Sequence, residues 1–179
     1  MRIISGQWRG RPLEAPAGHT TRPTSDRARE GLFSMLASRL GSFDDLQVAD
    51  LFAGTGALGL EALSRGAAHC TFVEKDRIAL DTLKRNIDRL GAADRADLRA
   101  QAVEHVPLPD DRFDLIMMDP PYGLGLAQPA LDRAAGWLAP GGWLSLELHG
   151  ESPAAPPGLE RDTERRFGKA TLLLLRRGH

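Results

Sequence analysis

The segment Asp50-Leu51-Phe52-Ala53-Gly54-Thr55-Gly56-Ala57-Leu58-Gly59 decides the fold, because in it an apolar strand turns through glycines directly into a helix. Glycines at such a turn let a ligand approach the backbone closely, and the start of the helix offers free N–H groups. Gly54, Gly56 and Gly59 match the spacing GxGxxG, and Glu74 follows twenty residues after Gly54. The segment therefore predicts the first strand and helix of an α/β domain that binds an adenosyl or dinucleotide ligand.

Strand and helix patterns alternate around this segment. Apolar runs predict strands at 48–52, 70–74, 96–101, 113–118 and 143–148, and periodic apolar residues predict helices that end at Leu40 and that span 57–65, 76–90 and 126–138. Strands that alternate with helices and read as apolar runs favour a parallel sheet covered on both faces. Two further runs, 163–167 and 171–176, flank Gly168 and predict a terminal antiparallel hairpin.

These patterns predict the domain organisation. We expect an α/β, Rossmann-like domain over residues 22–179 with a mostly parallel seven-stranded sheet. Extended stretches at 2–5 and 11–15, separated by a glycine-bearing turn, predict a small N-terminal β-hairpin extension within residues 1–21. A chain of 179 residues, 42% of them hydrophobic, is long enough to close one core of this kind.

The charge and cysteine content limit the classes of function. The net charge is −1, so a nucleic-acid partner would have to be held by local basic patches, such as the arginines near the N-terminus. Cys70 is the only cysteine and the five histidines are scattered, which predicts neither a disulfide framework nor a metal site. The N-terminus lacks an apolar signal segment, so we expect a soluble, cytoplasmic protein.

A second chemical signal, Asp119-Pro120-Pro121-Tyr122, follows directly on the apolar run 113–118. Proline has no backbone donor, so the peptide carbonyls of this turn are free to face a site beside the carboxylate and the aromatic ring. An ordinary Pro-Pro turn is the alternative. Asp50, four residues before Gly54, could face an ammonium group, which favours a nucleoside with an amino-acid tail over NAD.

Together these segments resemble the class I S-adenosylmethionine-dependent methyltransferases, in the branch that methylates amino groups and carries Asp/Asn-Pro-Pro-Tyr/Phe. Two further segments narrow the resemblance: residues 1–11, which read MRIISGQWRGR, and residues 22–30, which read RPTSDRARE. With the closing Arg166-Phe167-Gly168, they are similar to the bacterial small-subunit ribosomal RNA guanine-N2 methyltransferase family, the D member of that series. The likeness runs nearly from end to end.

The resemblance implies a set of cofactor contacts. The residues that would bind S-adenosylmethionine are Arg22, Thr24, Asp50, Phe52, Ala53, Gly54, Gly56, Glu74, Lys75, Gln101 and Ala102. Asp50 and the glycine turn would face the methionine part, and Glu74 would accept the ribose hydroxyls. At Gln101-Ala102 the chain departs from the Asp-Ala pair usual in the family, so either Gln101 or Glu104 would hold the adenine amino group.

The resemblance also implies the reaction and the target. Asp119, Pro120, Pro121 and Tyr122 would hold the exocyclic N2 amine of guanine 966 of 16S rRNA, in an assembled or assembling small subunit, without a metal ion. The residues that would contact RNA are Arg2, Trp8, Arg9 and Arg11. We expect a monomer that is assisted by ribosomal protein surfaces.

Three alternatives stay open on the sequence alone. An enzyme of the same branch could act on adenine N6 of DNA or RNA, or on a protein glutamine, because Asp-Pro-Pro-Tyr does not distinguish these acceptors. An NAD-dependent oxidoreductase would use the literal GxGxxG, although the chain has no obvious proton-donating histidine, Tyr-x-x-x-Lys motif or substrate domain. The third alternative is an RNA-binding module without turnover.

Overall fold

The protein is built on one seven-stranded sheet, seen in a computed structural model that describes residues 1–16 and 23–179, except for the side chains of residues 23–25. The strands are β1 (Gln47–Leu51), β2 (His69–Val73), β3 (Ala96–Arg99), β4 (Phe113–Met118), β5 (Leu138–Leu148), β6 (Leu159–Phe167) and β7 (Ala170–Arg177). The α-helices are α1 (Pro23–Leu40), α2 (Ala57–Ser64), α3 (Arg77–Leu90) and α4 (Ala127–Trp137). A single 3₁₀ turn, Ala93–Arg95, precedes β3.

The strand order is β3-β2-β1-β4-β5-β7-β6. Neighbours from β3 to β5 are parallel, whereas β7 is antiparallel to both β5 and β6. The predicted mostly parallel sheet with a C-terminal antiparallel hairpin is therefore confirmed. Within the described ranges, no helix is long and apolar enough to cross a membrane.

The sheet buries a separate apolar cluster on each face. Residues of α1, α2 and α3 share one cluster with β-strand residues such as Phe72 and Met117. Residues of α4 share the other with the alternate strand positions, among them Ile116 and Leu146. The parallel strands are thus covered on both sides, as their apolar runs predict.

The helix ends follow the capping residues in the sequence. The Asp76 carboxylate accepts a hydrogen bond from the Ala79 N–H at 2.9 Å, and Gly91 ends α3 in the left-handed conformation at φ +68°. Gly56 precedes α2 at φ +86°, and a Cβ there would lie 2.3 Å from Leu83 Cδ1. Glycine at this turn therefore serves the packing of α2 against α3 as well as the backbone conformation.

The N-terminal arm, residues 1–16, differs from the predicted hairpin. Its only strand pairing among the described residues is one antiparallel bridge between Arg2 and Pro12. The predicted hairpin is present but shorter: the Ile3 N–H donates to the Arg11 carbonyl at 3.0 Å, and the Leu13 N–H donates to the Met1 carbonyl at 2.8 Å. The pairing ends there, because the backbone N–H groups of Ile4 and Ser5 donate to the Glu61 carboxylate on α2, at 2.9 and 3.1 Å. The boundary drawn at residue 21 lies outside the described residues, so the division into an extension and a domain stays a prediction.

The fifth strand starts earlier than its sequence predicts. Residues 140–142, Pro-Gly-Gly, are typical of a turn, yet they lie within β5. The pairing with β4 changes register between Phe113 and Leu115, so the strand accommodates these residues at an irregularity. The prediction of a start at Trp143 was therefore wrong by five residues, and its end at Leu148 is confirmed.

Candidate active site

The loops after the parallel strands line one cleft at the carboxyl edge of the sheet. The chain runs from β1 outward to β2 and β3 on one side and then returns to β4 on the other side of β1. Ligands of doubly wound folds bind at such a switch point. Two adjoining cavities of about 210 and 420 Å³ occupy this edge, and Phe52, Gly54 and Asp119 line both. The predicted cofactor and acceptor residues that the structure describes line one or both of them, except for Gly56, which packs toward Leu83.

The glycine turn after β1 forms the floor of both cavities. Phe52 and Gly54 adopt left-handed conformations, at φ +59° and +58°. For phenylalanine this conformation costs on the order of 1 kcal/mol, and such strain is concentrated at functional sites. A Cβ on Gly54 would have nothing within 4 Å, so the space over this backbone is open to a ligand.

Glu74 ties the turn to the end of β2. One carboxylate oxygen accepts from the Gly54 N–H at 2.8 Å, and the other accepts from the Asp76 N–H at 2.9 Å. Each oxygen retains a lone pair that can accept from a hydroxyl group. The carboxylate is thus held in place at the cavity, in the position expected for a ribose acceptor.

Asp50 lies buried at the end of β1, with 1% of its surface exposed. Its Oδ2 accepts from the Gly59 N–H at 2.9 Å. Burial raises the pKa of this carboxyl group well above its ordinary value, the Gly59 bond opposes that shift, and the nearby Asp119 and Glu74 carboxylates add to it. A cationic group in the adjoining cavity would favour the ionised form, which suits the ammonium of an amino-acid tail.

Arg29 of α1 also lines the smaller cavity, and the sequence reasoning missed it. The side chain is buried, pairs with Asp26 at 3.3 Å and with Glu61 at 3.8 Å, and donates from Nη2 to the Arg2 carbonyl. The guanidinium therefore joins the N-terminal arm to the cavity wall. Arg22 and the side chain of Thr24, which the resemblance places near the carboxylate of the cofactor's methionine part, lie outside the described residues.

The larger cavity holds the residues predicted for the adenosine part. Lys75, Gln101, Ala102 and Glu104 all line it. Both candidates for the adenine amino group thus reach the same cavity, and the choice between Gln101 and Glu104 stays open.

The Asp-Pro-Pro-Tyr turn leaves β4 beside the glycine turn. Pro120 is buried and Asp119 is exposed, while the Tyr122 ring is 75% exposed at the mouth of the larger cavity. His149 Nε2 lies 3.2 Å from Asp119 Oδ1, and the imidazole meets the Tyr122 ring edge-on, with centroids 6.1 Å apart. An exposed carboxylate and an exposed ring therefore face the same opening.

His149 sits among three carboxylates. Besides Asp119, Glu147 lies 3.6 Å from Nε2 and Glu151 accepts from the His149 backbone N–H at 2.5 Å. The hydrogen bond to Asp119 raises the pKa of His149, partial desolvation lowers it, and all three carboxylates raise it further. The imidazole thus holds a proton more readily than a free histidine does.

The residues on β5 escaped the sequence reasoning, although the chain carries a signal for them. Ser145 and Glu147 alternate with leucines along the strand, and His149 continues the same spacing. Residues two apart share a face of a strand, so polar residues at these positions indicate a wall facing away from the α4 side. Asp119, Glu147 and His149 could together hold a metal ion, because one side-chain oxygen or nitrogen of each lies within 4.8 Å of the others. They are the one such group of three in the described ranges. The predicted absence of a metal therefore stays a prediction.

The residues predicted to contact RNA lie on the N-terminal arm. Arg2, Arg9 and Arg11 are exposed, and Arg11 Nη2 donates to the Arg89 carbonyl at 2.6 Å. Trp8 is only 6% exposed, and the Arg95 guanidinium lies 5.5 Å from its ring centroid. This burial favours a structural role for Trp8, whose contact with RNA would require the arm to open.

A doubly wound sheet with a glycine turn, a fixed carboxylate after β2 and an Asp-Pro-Pro-Tyr turn after β4 defines the class I S-adenosylmethionine-dependent methyltransferases. The family model described as conserved hypothetical protein 95 matches residues 1–176. The chain belongs to this family, that of the small-subunit ribosomal RNA methyltransferase D. The assignment selects a methyltransferase over an oxidoreductase or an RNA-binding module without turnover.

Individual relatives agree over nearly the whole chain. The chain is 36% identical over 181 residues to ribosomal RNA small subunit methyltransferase D of Escherichia coli (strain K12). This alignment covers 99% of this chain and 90% of the relative. The enzyme of the same name from Haemophilus influenzae is 35% identical over 88% of this chain and 83% of its own. The solved structure of the Escherichia coli protein yhhF has a TM-score of 0.85 at 33% identity, covering 100% of this chain and 98% of that one.

Proposed function

We propose that this protein transfers the methyl group of S-adenosylmethionine to the exocyclic N2 amine of guanine 966 in 16S rRNA, within an assembled or assembling small ribosomal subunit. The observation that carries the proposal is the exposed Asp119–Tyr122 turn beside the Gly54 and Glu74 cavity, in a chain that matches the Escherichia coli enzyme from end to end. The turn supplies the acceptor half of the site, and the cavities supply the cofactor half.

The donor set fits the cofactor. In this proposal Asp50 faces the ammonium of the methionine part, with Arg22 and Thr24 near its carboxylate. Glu74 accepts the ribose hydroxyls through its remaining lone pairs, and Gln101 or Glu104 holds the adenine amino group. When bound, the cofactor supplies a sulfonium-activated methyl group, so the chain has no need to activate the methyl donor.

The protein's own task is to prepare a poor nucleophile. The lone pair of an exocyclic amine is delocalised into the base. If the Asp119 carboxylate and the Pro120 carbonyl accept the two amine hydrogens, the lone pair turns toward the methyl carbon. With the methyl donor bound, the N–C bond would form as the S–C bond breaks, and the amine would lose one proton to Asp119 or to water. Positioning of this kind supplies most of the acceleration.

Tyr122 suits the remaining step, which is the capture of the base. A guanine inside a stacked helix cannot reach Asp119, so it must be unpaired or flipped out. The exposed Tyr122 ring offers a face on which the displaced base stacks, a contact worth about 1–3 kcal/mol per base.

The decisive test offers several acceptors to the purified protein. Tritium-labelled S-adenosylmethionine is incubated with small subunits from cells that lack the modification, with naked 16S rRNA, with DNA and with a glutamine-bearing protein. We expect label in the small subunits or their RNA, and N2-methylguanine at one position after nuclease digestion and mass spectrometry. If only the DNA or the protein is labelled, the proposal is wrong, and the enzyme methylates a different acceptor of the same branch.

The Asp119→Ala variant tests the acceptor half separately. Without the carboxylate the amine is no longer oriented, so we expect methyl transfer to be lost while the affinity for the cofactor stays nearly unchanged. Rate and calorimetric binding of S-adenosylhomocysteine are measured side by side, with Asp110→Ala as an exposed control on the far side of β4. If Asp119→Ala retains methyl transfer, Asp119 does not orient the acceptor amine.

A further inference from the structure

His149 contacts both ends of the acceptor turn, although it lies thirty residues away in the chain. Its Nε2 atom is 3.2 Å from Asp119 Oδ1, and its ring meets the edge of Tyr122 at an interplanar angle of 84°. The side chain is 30% exposed and lines the larger cavity beside Pro120 and Pro121. One imidazole therefore spans the site at which the acceptor base is expected.

We propose that His149 is a positioning residue for methyl transfer: by donating its Nε2–H to Asp119 Oδ1, it fixes the carboxylate so that Oδ2 and the Pro120 carbonyl face the acceptor amine. This inference rests on the proposed function and deepens it. It assigns to His149 a role toward Asp119 and the base, and none toward the methyl group itself.

The geometry explains why Asp119 needs such a partner. Its side chain is 45% exposed, and among the described residues His149 is the one side chain that hydrogen-bonds to it. A carboxylate at the surface rotates among staggered conformers, and each rotation moves the acceptor oxygens away from the amine. A donor locked in place holds one oxygen and leaves the other free, which is preorganisation of an acceptor.

The surroundings of His149 keep the donor on Nε2. Glu147 Oε2 lies 3.6 Å from the same nitrogen, so two carboxylates face this atom. Both of them favour a proton at Nε2 in the neutral ring, and the protonated ring carries one there as well. The donor is therefore present in either protonation state, and its loss requires the loss of the side chain.

The test compares two substitutions with opposite expectations. His149→Ala removes the donor, and His149→Gln keeps an N–H donor at similar reach. At saturating S-adenosylmethionine and small subunit, we expect His149→Ala to lower kcat by about 10- to 100-fold, the range for a small misplacement of a reacting group. KM for S-adenosylmethionine is expected to change less than about twofold, and His149→Gln to recover most of kcat.

A matched control and a chelator complete the experiment. His179→Gln alters a histidine that contacts Arg176 at the opposite end of the sheet, and it is expected to leave kcat unchanged. Equal losses in His149→Ala and His149→Gln, wild-type rates in both, or a parallel rise in KM for S-adenosylmethionine would each overturn the positioning role. If EDTA lowers kcat of the wild type to that of His149→Ala, the positioning role is wrong, and Asp119, Glu147 and His149 instead hold a metal ion. A wild-type protein without methyl transfer would instead refute the proposed function.

Discussion

Replacing Glu61 by alanine is expected to loosen the N-terminal arm at Ile4 and Ser5 and to destabilise the whole protein. The Glu61 side chain has no exposed surface, and its two oxygens serve four cationic or N–H donors. They accept from the backbone of Ile4 and Ser5 at 2.9 and 3.1 Å and from Arg65 Nε at 2.9 Å, and they lie 3.8 Å from Arg29 Nε. Ser64 of α2 also holds the arm, through hydrogen bonds with Ser5, Gln7 and Trp8, so Glu61 fixes the arm at Ile4 and Ser5.

The expected loss follows from what the alanine leaves behind. Arg29 is buried, and removing one partner of a buried ion pair costs about 3–5 kcal/mol. The two backbone N–H groups would each cost about 1–3 kcal/mol more if they stayed buried without an acceptor. The arm can open to water and so avoid this second cost. We therefore expect the free energy of unfolding to fall by about 3–5 kcal/mol, or the Tm to fall by about 6–20 °C.

Urea and thermal unfolding followed by circular dichroism measure this loss. Glu61→Gln keeps one acceptor oxygen and the volume, and should lose less than Glu61→Ala. Glu30→Gln, an exposed glutamate of α1, is the matched control and should stay within about 0.5 kcal/mol of the wild type. If Glu61→Ala unfolds within about 1 kcal/mol of the wild type, the arm is not held by this carboxylate and the reasoning fails.

Three further outcomes are expected. The double variant Arg9→Ala, Arg11→Ala should bind small-subunit RNA more weakly, and the slope of log affinity against log salt should become shallower by about 0.7–0.9 per lost phosphate contact. An unchanged slope would show that neither arginine contacts RNA. Gly59→Ala would place a Cβ 2.4 Å from Phe72 Cε1 and should cost about 1–3 kcal/mol in urea unfolding, and wild-type stability would refute that packing. The raised pKa of His149 contributes stability that is full below its ordinary value of 6.5 and is lost as the pH rises through the folded-state pKa. The stability advantage of the wild type over His149→Gln should therefore be full below about pH 6.5 and shrink as the pH rises further, and a constant difference would contradict the sign.

Much of the fold could be predicted because the local signals agree with the tertiary structure. Residues 113–118 form a run that is apolar except for Asp114 and contains neither glycine nor proline, and β4 has these bounds. Asp76 and Gly91 mark the ends of α3 by chemistry that depends on the adjacent backbone alone. Where a boundary is set by local hydrogen bonding, the sequence is sufficient.

The remainder depends on partners far away in the chain. A charged residue in the apolar helix 57–64 is unusual, but nothing near Glu61 in the sequence reveals that Ile4 and Ser5 are its partners. His149 likewise follows a predicted strand, and only the pairing of β4 with β5 brings it to Asp119. The acceptor turn could thus be found from its four residues, whereas the side chain that holds it could not.

The docking of the N-terminal arm on α2 also bears on the order of folding. The hydrogen bonds from Ile4, Ser5 and Trp8 reach residues 56 or 57 positions later, and closing such a loop is entropically costly until α2 is in place. During synthesis, the arm must therefore wait for a helix that is made later. Once α2 has formed on the sheet, the arm can dock on it and add Ile3, Trp8 and Leu13 to the core. During refolding, the amides of Ile4, Ser5 and Trp8 should therefore become protected from hydrogen exchange only after those of α2.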